Sequence, residues 1–329
     1  MEESVKVYVP GRGEPRICAI GGGHGLSTLL RGIKYYSKNI TAIVTVADDG
    51  GGSGMLRDDL GMLPPGDIRN CILALANTEP IMERLIDYRF PEGSLKGQSF
   101  GNLFLAALDG ISDSFDQAVE RMGQVLSIVG RVLPVTNENV FLEAEFENGE
   151  TVLGESKIFA AKKQNDCRVR RVRLLPEHPK ALAASVQAIL DADLVLLGPG
   201  SLYTSVIPNL LVDGIAEALL QTRAKRVYVL NMMTQDGETE GYSAADHVSA
   251  LFRHGGGKIF DYCLSNSQPI PESVLEAYRQ EGAEELRAKP GELEALGVRT
   301  FYAPLAASGA YARHDPEALG RALMRFLYD

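Results

Sequence analysis

Apolar positions along the chain switch repeatedly between a strand-like run and a helical period, and the alternation spells an α/β protein. Residues 16–20 form a short apolar run that ends in glycines and leads into Leu26–Tyr36, where Leu26, Leu29, Leu30 and Ile33 share one helical face. Ile40–Ala47 follows, rich in β-branched residues and apolar at consecutive positions, the pattern of a strand covered on both faces. The first fifty residues thus read β-α-β, and the handedness of crossover connections makes the two strands a parallel pair. Residues 66–77, 79–88, 99–108 and 115–126 have helical periodicity with little strand between them. From 132 to 174 the texture changes. Val140–Phe146 alternates and Asn148-Gly149 marks a hairpin, which predicts an antiparallel β insertion over that segment. Its Lys162–Arg173 stretch sets six basic residues against Asp166 and reads as a solvated cationic edge strand. Alternation then resumes with helix 179–190, strand 193–197, helix 209–222, strand 226–230, helix 243–254 and strand 258–264. The fold class predicted is Rossmann-like, a three-layer α/β/α domain over 16–329 with a mostly parallel sheet. A loose arm rich in proline and glycine, residues 1–15, precedes it.

Charge and composition narrow the partners. Lys plus Arg number 33 against 43 Asp plus Glu, so the chain lacks the cationic excess that nucleic-acid binding needs. No apolar run approaches the roughly 18 residues of a membrane span. The opening MEESVKVYVP has no cationic segment followed by an apolar core, so a cytoplasmic protein is expected. Cys18, Cys71, Cys167 and Cys263 are scattered and never form CxxC, which reads as free thiols rather than metal ligands.

Glycine concentrates where an open parallel sheet binds its ligands, beyond the carboxyl ends of its strands. Gly21, Gly22, Gly23 and Gly25 follow the first strand, Asp48-Asp49-Gly50-Gly51-Gly52 the second, and Gly198-Pro199-Gly200-Ser201 a later one. Such loops let backbone approach a phosphate, and a helix start offers it amides. The dinucleotide fingerprint is met only in part: Gly23-x-Gly25 is followed by Thr28, and Asp48 lies 25 residues after Gly23. NAD(P) therefore stays open beside other nucleotides and beside a plain tight turn. His24 is either a donor to phosphate or a side chain capping the loop. Asp48 and Asp49 suit Mg²⁺ or turn into their own backbone amides. Asp67 is either the N-cap of the helix at 66 or a further carboxylate, and Arg69 and Asn70 in its first turn would face the strand ends. Tyr278 and the pair Arg313–His314 either stack on a base and clamp a diphosphate or are plain surface residues, the commoner fate of these residue types. HExxH, GxSxG and GxxxxGK[ST] do not occur, which leaves zinc peptidase, α/β-hydrolase and P-loop readings without support.

Taken together, IGGGHGLSTLLRGIK, ITAIVTVADDGGGSGMLRDDL, PPGDIRN, GQSFGNLFLAAL, VLPVT, LGPGSLYTSVIPNLLVDGI and NMMTQDGETEGYSAADH resemble the gluconeogenesis factor (YvcK-like) family. That family shares a superfamily with the 2-phospho-L-lactate transferases (CofD-like). The resemblance runs in order from about residue 16 to 326. It implies a Rossmann-like cytoplasmic protein that supports gluconeogenic growth, cell shape and cell-wall precursor supply. The ligand implied is UDP-N-acetylglucosamine (UDP-GlcNAc), and the partner a glucosamine-6-phosphate-forming aminotransferase, with self-assembly into a homo-oligomer expected. A nucleotide-sugar-binding regulator is thus the leading expectation, and a metal-dependent phosphotransferase the alternative. Carried over residue by residue, the resemblance puts nucleotide or phosphate contacts on Gly22, Gly23, His24 and Gly25, His24 standing where many relatives have Thr. It puts a divalent metal on Asp48 and Asp49 with Asp67 as a further carboxylate. Gly200, Ser201 and Tyr203 fall on a later ligand loop, and Tyr278 and Arg313 where uridine-sugar contacts are implied. No residues suggest the deazaflavin site that the transferase branch needs.

Overall fold

In the computed structural model, residues 13–165 and 167–328 are described. Residues 1–12 of the expected arm, and Asp166 of the basic stretch, lie outside the described residues. Residues 14 and 15 are tied down: Lys38 N–H donates to Glu14, and Ser37 Oγ–H to the Pro15 carbonyl.

A seven-stranded sheet carries the molecule. Its strands are β1 (Ile17–Gly21), β2 (Ile40–Val44), β3 (Arg131–Pro134), β7 (Leu194–Leu197), β8 (Lys225–Val229), β9 (Tyr262–Asn266) and β10 (Arg299–Ala303), in the spatial order β10-β9-β8-β7-β1-β2-β3. Every pairing in it is parallel. β1, β2 and β7 are buried at every position, as expected of apolar runs covered by helices on both faces. Strand order reverses between β1 and β7, since the chain builds outward to β3 on one side and to β10 on the other. A crevice opens at such a switch point.

The insertion is smaller than the alternation suggests. β3 pairs with β2 and so belongs to the main sheet. The antiparallel unit is β4 (Phe141–Phe146), β5 (Thr151–Leu153) and β6 (Val169–Leu175), ordered β5-β4-β6. The basic stretch is not one strand: its first residues close a helix, Glu155–Asn165, and only β6 is the cationic edge. There Arg170 and Arg171 pair with Glu145, and Arg173 with Glu143.

The helices are α1 (Gly23–Ile33), α2 (Gly51–Leu60), α3 (Gly66–Leu75), α4 (Pro80–Asp87), α5 (Phe100–Asp109), α6 (Phe115–Val125), α7 (Glu155–Asn165), α8 (Ala183–Asp191), α9 (Ile207–Leu210), α10 (Ile215–Gln221), α11 (Ala244–His254), α12 (Glu272–Gln280) and α13 (Pro316–Tyr328). Two differ from the sequence pattern. The glycine-rich segment after β2 winds into α2 rather than remaining a loop, with Gly51 at its start. The single helix expected over 209–222 is instead the end of α9 and then α10, with Gly214 at positive φ between them, and a wide π-helical turn (Leu202–Val206) leads into α9. The terminal α13 packs across α1 at Gly32 and Gly320, where a side chain on either would enter the other helix's backbone. Among the described residues no helix is long and apolar enough to cross a membrane.

Candidate functional site

The crevice between β1 and β7 is rimmed by the loops the sequence marked. The first glycine loop is tight because other loops press on it. A Cβ on Gly22 would stand 2.6 Å from Asp67 Oδ2 and 2.8 Å from Thr45 Cγ2, and one on Gly25 would enter the Pro199 carbonyl. Gly23 has φ +63°, a conformation costly for any side chain. Donors are committed too. Gly23 N–H donates to the Asp67 carboxylate, and Gly200 N–H to Asn231 Oδ1 at 3.1 Å, while Asn231 Nδ2 returns a bond to the Gly200 carbonyl. The Ser201 hydroxyl donates to Gln235. What α1 still offers an anion is its next amides, at His24 and Gly25, which have no carbonyl one turn earlier.

On the outer side, His24, Gly25, Gly200, Ser201, Tyr278 and Arg313 line one cleft of about 370 Å³. The structure therefore brings together residues spread over nearly the whole chain. Arg31 and Arg313 line it as well, and among the described residues neither pairs with a carboxylate. Desolvation, and after it the charges of Arg313, Arg69 and Arg31, hold the His24 imidazole below the usual histidine range. At neutral pH it is an uncharged group in a cationic field. Beyond Tyr278, Thr234 and Gln235, the cleft adjoins a second hollow walled by Asp236, Gln280 and Glu281.

On the inner side of the same loop lies an acidic centre. Four of its carboxylates are held by amides at a helix start, where the dipole favours negative charge. Asp67 takes Gly23 N–H of α1, Asp48 takes Gly50 N–H before α2 at 2.8 Å, and Asp49 takes Ser156 N–H of α7 at 2.7 Å. Glu238, 4% exposed, accepts from Tyr203 N–H and from the Thr204 hydroxyl at the π-helical turn. Glu155 opens α7 and feels all four. Burial first, then Asp48, Asp67, Glu238 and Asp49, push its carboxyl up to about 8. Burial pushes Glu238 up to about 7, and burial followed by Asp48 pushes Asp67 up to about 6. Like charges kept this close favour a cation among them, yet among the described residues no three ligating side chains converge on one point. The set suits a divalent ion that keeps several of its waters, the habit of Mg²⁺.

Some expected contacts are absent. The Tyr203 ring is 1% exposed, and its hydroxyl meets Tyr242 and the Val169 carbonyl, so only its backbone belongs to the site. Arg69 turns from the strand ends to bind Asp87 and the Ile86 carbonyl, and it holds Asn70 by the side-chain oxygen. Asp49 is bound to the start of α7 through Ser156 N–H. Glu155 and Glu238 escaped the sequence reading. Glu238 stood inside a quoted motif, while Glu155 had only Gly154 before it as a signal. Arg57 was missed as well. It is 4% exposed, stacks 3.7 Å from the Phe141 ring centroid and donates to Asn139 Oδ1 and the Val140 carbonyl, pinning the insertion onto α2. Replacing it, as Arg57→Ala, is expected to cost about 2–4 kcal/mol, from lost charge-assisted bonds and the ring contact together. Urea unfolding measures this, and a loss below about 0.5 kcal/mol would remove Arg57 as the pin.

Comparison with known proteins accords with this architecture. The family model described as 2-phospho-L-lactate transferase CofD matches residues 17–306. A protein named "Putative gluconeogenesis factor" from Clostridium acetobutylicum is 52% identical over 96% of this chain and 70% of its own length. One named "Gluconeogenesis factor" from Bacillus subtilis is 45% identical over 95% of this chain and 98% of its own. The crystal structure of a UPF0052-family protein from Bacillus halodurans superposes with a TM-score of 0.91 at 44% identity, over 95% of this chain and all of that one. The chain belongs to the CofD family, among the proteins named gluconeogenesis factors.

Proposed function

We propose that the protein is a nucleotide-sugar-binding regulator of gluconeogenic growth that takes UDP-GlcNAc in the cleft between α1 and Arg313. The observation that carries this reading is the convergence on one open cleft of Arg31 and Arg313, neither paired with a carboxylate among the described residues, of free α1 amides and of the Tyr278 ring, with a polar hollow beyond it. A diphosphate suits the cationic end, and hydroxyl-rich sugar suits walls of Asp236, Gln280 and Glu281. The names of the relatives support the metabolic setting. In this reading the protein is cytoplasmic and homo-oligomeric. It acts in cell shape and wall-precursor supply by changing its affinity for a glucosamine-6-phosphate-forming aminotransferase when the cleft fills, a coupling of typically about 1–3 kcal/mol.

Calorimetric titration with UDP-GlcNAc, with and without Mg²⁺ and beside NADP⁺ and GDP, tests it. One-site binding of the UDP-sugar that survives chelator is expected. Arg313→Ala and Tyr278→Ala should each weaken it about tenfold or more, while Asp48→Asn leaves it within about twofold, one lost contact being worth about 1.4 kcal/mol.

The acidic centre favours a second reading, a metal-dependent phosphotransferase. Asp48 and Asp67 would hold a hydrated Mg²⁺, which would neutralise charge on a transferred phosphoryl group. Metal-dependent binding of GDP with no heat from the UDP-sugar would select this reading over the first.

A further inference from the structure

A separate hollow opens at the β10 edge of the sheet, between α13 and the β9–β10 pair. It measures about 230 Å³ and shares no lining residue with the cleft. Its apolar wall is a cluster of three rings. Phe326 of α13 meets Phe301 of β10 and Tyr262 of β9 at centroid distances of 4.8 and 5.4 Å, and Tyr262 meets Phe301 at 5.7 Å. The cluster is not sealed: Phe301 is 38% exposed, and Tyr302, which also lines the hollow, 43%. β10 is the last strand of the sheet on this side and is exposed or half-buried at every position.

Lys225, Arg299 and Arg325 line the same hollow. Neighbouring cations are spent within the fold, since Arg226 and Lys258 both pair with Asp261. Among the described residues, no hydrogen bond, ion pair or ring contact occupies the side chain of Lys225, Arg299 or Arg325. In a chain of net charge −10, three uncommitted cations in one hollow run against the composition. Cations on an edge strand deter pairing with other chains. That task needs neither a cavity nor an open ring cluster, whereas an anion carried on a flat apolar body uses all three. Guanidinium forks match carboxylate and phosphate oxygens, and a ring packs edge-on or offset against other rings. The hollow is smaller than the roughly 300–1,000 Å³ of pockets for drug-sized ligands, so it suits one ring rather than a nucleotide. We propose that it binds a one-ring aromatic acid, with the carboxylate or phosphate among Lys225, Arg299 and Arg325 and the ring against the Tyr262–Phe301–Phe326 cluster.

Titration of the unaltered protein with 3-phenylpropanoate and phenyl phosphate, beside 3-phenylpropanol, propanoate and inorganic phosphate, tests this. One or both acids should saturate a single site at least about tenfold more tightly than the neutral alcohol or the ringless anions, and the tighter acid names the anion. Arg299→Gln and Arg325→Gln replace exposed residues, so the fold should persist while each weakens that acid about fivefold or more. Failure of both acids to saturate a site overturns the proposal. Binding of a ringless anion as tight as that of its aromatic counterpart reduces the hollow to a charged edge, and equal binding of the alcohol reduces it to an apolar patch; either result overturns it. So does undiminished binding in both folded glutamine variants. Arg313→Ala separates the two sites: binding unchanged in that protein supports the β10 hollow, and binding lost there moves the acid to the cleft and overturns the proposal. None of these readouts depends on whether UDP-GlcNAc binds, so the two ideas fail separately.

Discussion

Gly25→Ala is expected to abolish ligand binding in the cleft, by about a hundredfold or more, and to destabilise the protein by about 3 kcal/mol. The added methyl group would enter the Pro199 carbonyl and lie 3.0 Å from Gly200 N, both backbone atoms of the opposite loop. Neither can rotate away as a side chain could. The α1 start and the Gly198–Ser201 loop must separate, and overpacking of this kind costs typically about 1–3 kcal/mol or more. Separation also widens the crevice where the free α1 amides meet the opposite wall, and small misplacements at a site cost large factors. Gly23→Ala isolates backbone strain from this collision. Its φ is +63° but the nearest atom to a new Cβ is Ser205 Oγ at 3.6 Å, so only about 1 kcal/mol should be lost. Calorimetry and thermal melts of the two proteins check the contrast. Equal effects would mean that the approach of the two loops does not shape the cleft.

The second large effect concerns pH. The metal-free protein is expected to lose about 1–2 kcal/mol of stability as pH rises from 6.5 to 8, and Glu155→Gln to remove most of that loss. The sign follows from proton counts. In the unfolded chain a glutamate ionises near its ordinary value, whereas in the folded protein Glu155 holds its proton to about 8 and Glu238 to about 7. The folded state therefore binds more protons across this window. Stability is fully present below the ordinary glutamate range and is lost as pH rises through the folded values, at about 1.4 kcal/mol per unit for each proton retained. Buried His247 and His314 are both lowered to about 4 and act the other way, but only below the ordinary histidine value, and so contribute little here. If Mg²⁺ binds among these carboxylates, it should flatten the profile by favouring their ionised forms. Thermal melts at several pH values, with magnesium or with chelator, measure this. A flat profile without metal would mean that the acidic centre is already relieved by water or rearrangement.

Much of the molecule was legible in its pattern. Ile40–Val44 and Leu194–Leu197 were readable as central strands because a strand between two helical layers must be apolar on both faces. α3, α5, α6 and α11 were readable because each buries a face against the core. The β3 strand was misassigned because Arg131–Pro134 carries an exposed-buried alternation that suits an edge in either sheet, and only its pairing with β2 decides between them. The segment after β2 was read as a loop because three glycines and a serine have no helical propensity. Packing makes α2 there, with Arg57 stacked on Phe141.

By itself the sequence determined the layered α/β class, the three ligand-side loops and the family, since these rest on local periodicity and on motifs held in order. Tertiary structure alone decided which loop residues face each other. Helix starts collect a carboxylate only when another part of the chain brings one, as Asp67 comes to α1, Asp49 to α7 and Glu238 to the π-helical turn. No spacing in the sequence records those meetings. Nor does it record that α13 settles at Gly32 of α1 and holds the chain beyond His314 against the helix whose start lines the cleft. Local pattern reports what a segment can bury; which charges and lone pairs end up sharing one low-dielectric space is a property of the packed whole.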